Sequence, residues 1–152
     1  MTPASGRPLY TPELLGLAVK LADYPLDREA PFQGQARSRT CGSTISAGFS
    51  LDRHNRIATL GMAVSACAVG QAAAAIFAEG AAGKTAEDLQ ATLQALASWL
   101  VGEQPGPPMD LDAAWPGIEA LQPAIPHAGR HGAILLPWRA GVDALCKPAQ
   151  AG

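Results

Sequence analysis

The chain has 152 residues, a formal net charge of −2 and a pI near 5.8. Apolar residues make up 48% and charged residues 16%, which favours a folded core over disorder. The acidic balance argues against a general nucleic-acid binder, and the longest near-uniform apolar run, residues 72–78, is far shorter than the roughly 20 residues of a membrane span. Thirty-one alanines, 16 glycines and 13 prolines suggest small-residue helices joined by punctuated loops.

The first eight residues hold one arginine and no apolar run of the signal-peptide kind, so a cytoplasmic chain without nucleic-acid or membrane partners is expected. Three cysteines are an odd count and support no disulfide framework, so reduced thiols are the default.

Residues 11–22 read as a helix, with Thr11 as N-cap and Pro12 in the first turn. Leu14, Leu15, Val19 and Leu21 supply its apolar face, and Pro25 follows as a stop. Residues 25–40 read as a loop carrying Arg28, Arg37 and Arg39. Residues 44–51 alternate, with Ile45, Ala47, Phe49 and Leu51 on one face, as a half-buried strand requires. Asp52 to Asn55 form a turn, and residues 56–64 supply the partner strand. Residues 68–79 are alanine-rich and helical, ending at Gly80 and Gly83. Thr85 and Asp88 have the spacing of a capping box before a helix running to about Leu100. Residues 102–117 read as a breaker-rich loop, and residues 118–126 as a single helical turn. Residues 133–145 predict a last helix with Pro137 in its first turn, followed by a tail from Lys147. The expected fold class is α+β: a small antiparallel β-sheet of about three strands packed against several helices. The expected organisation is one domain over residues 1–152, with its core at about 9–145.

Cys41 precedes the first strand of the hairpin and Cys67 follows the second, so the topology brings both thiols to one edge of the sheet. Cys67 also opens the alanine-rich helix, where free amides and the positive end of the helix dipole suit an anionic sulfur. Gly42 permits close backbone approach beside Cys41. Such a pair suits a soft metal, an iron–sulfur cluster or sulfur chemistry, and two ordinary buried cysteines explain it as well. Cys146, His54 and His127 read as incidental surface positions, and Trp99, Trp115 and Trp138 as packing anchors. Neither GxSxG nor HExxH occurs, and Gly83-Lys84-Thr85 lacks the spacing of a phosphate-binding loop.

The run Cys41-Gly42-Ser43, then Cys67-Ala68-Val69-Gly70-Gln71-Ala72-Ala73, resembles the iron–sulfur cluster assembly scaffold family of SufU, IscU and NifU N-terminal domains. Leu9-Tyr10 and Tyr24-Pro25 resemble that family's opening helix, and residues 130–138, Arg-His-Gly-Ala-Ile-Leu-Leu-Pro-Trp, resemble its SufU-type closing segment. The resemblance spans about residues 9–145 and implies a SufU/IscU-like fold. It implies a non-enzymatic scaffold that binds iron or cluster, or accepts sulfur, through Cys41 and Cys67. It further implies a cysteine desulfurase and acceptor apoproteins as partners, and an iron–sulfur cluster or zinc as the bound group.

The chain departs from the family's ligand set of three cysteines and an aspartate. Ser43 stands at the aspartate position, Ala133 at the third cysteine, and Ala66 replaces the usual glycine before Cys67. His131 is the nearest substitute ligand, and Arg130 matches a family arginine beside the site. Two thiols from each of two chains would also make four, so a homodimer is a second way to complete the set. The alternative is a relative that keeps the fold and acts as an interaction, regulatory or weak metal-binding protein. A thiol enzyme pairing Cys41 or Cys67 with His131 is a third reading.

Overall fold

The computed structural model describes residues 11–39, 42–102 and 109–146. Leu9, Tyr10, Cys41, the prolines of 103–108 and the tail from Lys147 lie outside the described residues. In chain order the elements are α1 (Pro12–Lys20), a 3-10 turn (Leu21–Asp23), β1 (Phe32–Arg37), β2 (Thr44–Leu51), β3 (Ile57–Ser65), α2 (Ala68–Gly80), α3 (Ala86–Leu100) and α4 (Met109–Ala114). Two further 3-10 segments (Ile118–Ala124 and Ala128–Arg130) lead into α5 (His131–Leu145). The class is α+β, as the sequence predicts.

The three strands form one antiparallel sheet in the order β1-β2-β3. The register aligns Phe32, Phe49 and Leu60, then Gly34, Ala47 and Met62, then Ala36, Ile45 and Val64. These rows share one face, and the buried side chains of Ile45, Ala47, Phe49 and Met62 lie on it. β1 corrects the sequence reading, which took residues 25–40 as a loop. Its inward residues are Phe32, Gly34 and Ala36, so two of three are too small to register as an apolar alternation. The small size has a cause. A Cβ at Gly34 would run into the backbone of Ala140 and Ala144, because α5 lies directly on this strand. The Asp143 carboxylate also accepts a hydrogen bond from the Gln35 amide at 2.9 Å, which covers part of the sheet edge.

On the other face, Gly48 and Gly61 pair across β2 and β3. Their bare α-carbons let residues 25–30 cross the sheet, and a Cβ at Gly61 would strike the Pro25 carbonyl. The far edge is met by Tyr24, whose carbonyl accepts from the Met62 amide at 2.9 Å.

α5 is the centre of the helical layer. It packs on β1, β2, α2 and α3. Gly141 brings it against Leu89 of α3 and Phe77 of α2. The three tryptophans are fully buried packing anchors, as expected. Phe77 stacks on Trp115 at 5.5 Å between centroids and meets Phe49 and Trp138 edge-on at 6.1 and 5.4 Å. Each such pair adds about 1 kcal/mol beyond area burial. The Trp115 indole N–H donates to Thr92 Oγ1 at 2.9 Å.

The predicted caps hold. Thr11 Oγ1 accepts from the Leu14 amide at 3.1 Å, and Thr85 and Asp88 form a reciprocal capping box. Two other expectations are corrected. Residues 109–114 of the breaker-rich stretch form α4, because no proline or glycine interrupts them and Leu111 supplies a buried anchor. α5 starts at His131, two residues early, so Pro137 sits in its second turn. Proline has no amide proton, so the Ala133 carbonyl receives no helical bond from it. No helix among the described residues is long and apolar enough to cross a membrane.

Candidate functional site

Three chain segments converge at the end of the sheet where β1 passes into β2. The connection is closed by the Ser38 amide donating to the Ser43 carbonyl at 2.9 Å and the Gly42 amide donating to the Ser38 carbonyl at 3.0 Å. Gly42 has φ +72°, which glycine adopts without strain. Cys41, predicted as the first site thiol, belongs to this connection but lies outside the described residues. Ser43 is buried. The next residue, Thr44, pairs with Arg37 on one side and Ser65 on the other. The chain then leaves β3 through Ala66 and enters α2 at Cys67.

Cys67 is the N-cap of α2, half-buried and free of any disulfide. Its side chain makes no capping hydrogen bond, so the sulfur is left to other partners. Gln71 locks this turn in place: its amide donates to the Cys67 carbonyl and its side-chain Nε2 to the Ala66 carbonyl, both at 2.9 Å.

The third segment is the start of α5. Ala133 is 1% exposed and faces α2 at Gly70, where an added Cβ would lie 3.2 Å from the Ala133 methyl. Gly70 is three residues past Cys67, about 4.5 Å along the helix axis. At the position of the family's third cysteine, the chain thus presents a methyl group to the first turn of α2.

His131, the proposed substitute, is half-buried at the first position of α5. Its Nε2 lies 2.8 Å from the Ile125 carbonyl oxygen. A carbonyl only accepts, so Nε2 carries the proton and Nδ1 of the neutral ring keeps the lone pair. Arg130 ends the preceding 3-10 turn.

Cys146 and His54 stay away from this end, whereas His127 lies four residues before His131, its carbonyl accepting from the Arg130 amide at 2.8 Å. Cys146 is exposed at the C-terminus of α5, about 20 Å along the helix from Ala133. His54 is in the β2–β3 turn, and His127 is exposed before the last 3-10 turn. Among the described residues no three His, Cys, Asp or Glu side chains group so as to hold a metal ion. That set of donors does not make a zinc site. Sequence reasoning missed Gly70, Gln71 and the Ile125 carbonyl. A glycine in the first turn after Cys67 was the one available signal, and it needed the α5 contact to have meaning.

No family model matches the chain, and no curated relative matches it. Solved structures do. A nitrogen-fixing NifU-like protein, N-terminal part, from Brucella abortus superposes with a TM-score of 0.77 at 24% identity, covering 91% of this chain and 92% of that one. The chain has the NifU/SufU fold. The second match is a candidate iron–sulfur cluster assembly scaffold protein for the SUF system, from Fervidobacterium islandicum. It superposes at TM-score 0.76 and 18% identity over 90% of this chain and 96% of that one. A hypothetical protein solved at 2.3 Å follows at TM-score 0.69 and 19% identity, covering 88% and 97%. In all three the likeness runs over nearly the full length of both chains.

Proposed function

We propose that the chain serves iron–sulfur cluster assembly as a single-domain, scaffold-fold sulfur acceptor, with Cys67 and Cys41 as the accepting thiols. The observation that carries this reading is the position of Cys67. It is an unbonded, half-buried thiol at a helix N-cap, at the sheet end where β2 begins and α5 starts. The near full-length likeness to a SUF-system scaffold supports it.

In the proposed step, a thiolate of this chain attacks the terminal sulfur of a persulfide on a cysteine desulfurase. A new S–S bond forms on this chain as the desulfurase S–S bond breaks. The desulfurase cysteine leaves as a thiolate, so there is no net redox change. The sulfur then passes, still as sulfane sulfur, to a thiolate of an acceptor apoprotein by the same exchange, and the Cys67 or Cys41 thiolate is released. In this scheme the cargo of this chain is sulfur, and the cluster forms downstream of the transfer. The chain itself is not an enzyme.

The test is mass spectrometry after incubation with a cysteine desulfurase and free cysteine. A one-sulfur adduct is expected on the wild-type chain, lost in a Cys41→Ala/Cys67→Ala variant. An unmodified wild-type chain, beside a desulfurase shown to carry its own persulfide, overturns the reading.

A second reading is favoured by the buried Ala133 methyl. On that reading the fold is kept for binding other proteins, and the thiols are inert. It predicts no adduct, and complexes that survive the loss of both cysteines.

A further inference from the structure

We infer that this end of the fold carries sulfur without retaining a metal ion, and that Ser43 and Ala133 are the two side chains that withhold it. The inference rests on the sulfur-acceptor reading above.

Among the described residues, the segments that meet at this end offer a hydroxyl at Ser43, a methyl at Ala133 and a hydrogen-bonded imidazole at His131. Alanine has no donor atom, and a neutral hydroxyl is not among the ordinary ligands of zinc, which are thiolate, imidazole and carboxylate. Both positions are also shut. Ser43 is 5% exposed and Ala133 is 1% exposed. The Ala133 methyl is pressed toward Gly70, so neither water nor a side chain from another protein can enter at that point to supply the missing donor. The deficit is thus built into the packing of α2 on α5.

The same packing leaves the framework in place. Gly70 has no Cβ, so the first turn of α2 stays close to the first turn of α5. Gly70, which Ala133 faces, is within one helical turn of Cys67 along α2. Ser43 directly precedes Thr44, which pairs with Ser65, two residues before Cys67. Ser43 and Ala133 are thus tied to the two ends of the Cys67 turn, through Ser65 and through Gly70, and neither carries an atom that ordinarily ligates zinc. Exchanging those two side chains should turn a sulfur carrier into a metal holder.

The experiment compares four full-length, reduced proteins: wild type, Ala133→Cys, Ser43→Asp/Ala133→Cys, and that double variant with Cys67→Ala added. Each is exposed to zinc and desalted, and bound zinc is counted by atomic emission. Cobalt(II) substitution reads thiolate ligation directly through its sulfur-to-metal charge-transfer band. The expected result is no retained zinc in wild type. Stoichiometric zinc with a cobalt–thiolate band is expected in the double variant, with both lost when Cys67 is removed.

Stoichiometric zinc in the wild type, lost with Cys67→Ala, would overturn the inference. So would a double variant with wild-type circular dichroism and no zinc. If the double variant does not fold, the wild type and the Ala133→Cys protein decide. Zinc in wild type refutes the inference, and zinc only with the added thiol upholds it. The desulfurase assay separates this from the broader reading. A wild type that takes both zinc and sulfur sinks the inference alone, and one that takes neither sinks the acceptor reading alone.

Discussion

The α-carbon of Gly70 faces the methyl group of Ala133 so closely that a Cβ on Gly70 would lie 3.2 Å from it and 2.8 Å from the Ala66 methyl. This contact joins the turn that carries Cys67 to the start of α5. Gly70→Ala gains about 1 kcal/mol of helix propensity and loses about 1–3 kcal/mol to overpacking. A net loss of about 1 kcal/mol is expected in urea unfolding, with faster alkylation of Cys67 as the turn is pushed outward. A variant more stable than wild type would show that the two helices do not bear on each other here.

Gly34→Ala should be far more damaging. Its Cβ would meet backbone atoms of Ala140 and Ala144, which cannot rotate away. α5 would lift from β1, and its buried face includes Trp138. We expect a loss of at least about 3 kcal/mol, read as a lowered urea midpoint and weaker near-ultraviolet dichroism from the tryptophans.

Thr85→Ala removes one half of the capping box at the start of α3, where Thr85 Oγ1 accepts from the Asp88 amide at 3.2 Å. The expected cost is about 1 kcal/mol in chemical denaturation. Sulfur acceptance should be unchanged, because the cap is remote from Cys67.

The Asp52 carboxylate accepts from the amides of His54 at 2.8 Å and Arg56 at 3.1 Å. These backbone bonds, that to Arg56 foremost, hold its pKa below the ordinary carboxylate value. The folded chain therefore takes up this proton less readily than the unfolded chain. The stabilisation is present above the unfolded pKa and fades as pH falls from about 5 through the folded value. Asp52→Asn should flatten that part of the stability–pH curve. An unchanged curve would mean that the turn does not hold the carboxylate.

Thiol accessibility gives a simple order. Of the two described thiols, Cys146 is exposed and Cys67 is half-buried, so a bulky maleimide should label Cys146 before Cys67. Peptide mapping at short times checks this. Earlier labelling of Cys67 would mean that its turn opens far more than the Gln71 hydrogen bonds suggest.

Local chemistry alone determined much of this molecule. Thr11 and Thr85 mark helix starts because an oxygen three residues ahead of an orphan amide caps it wherever the chain goes. The alternation of Ile45, Ala47 and Phe49 places those three on one face, whatever packs there. The same logic put Cys67 at the junction of strand and helix, at the sheet end where β2 begins. Tertiary structure decided the rest, because the signals there are absences. Gly34 and Ala36 hide a strand because α5 needs the room. Ala133 reads as one more alanine until Gly70 is found opposite it. His131 has two ring nitrogens of equal promise in sequence, and only the Ile125 carbonyl, six residues away and folded back, decides which one keeps its lone pair. A missing side chain takes its meaning from what is packed against it, and packing is set by residues distant in the chain.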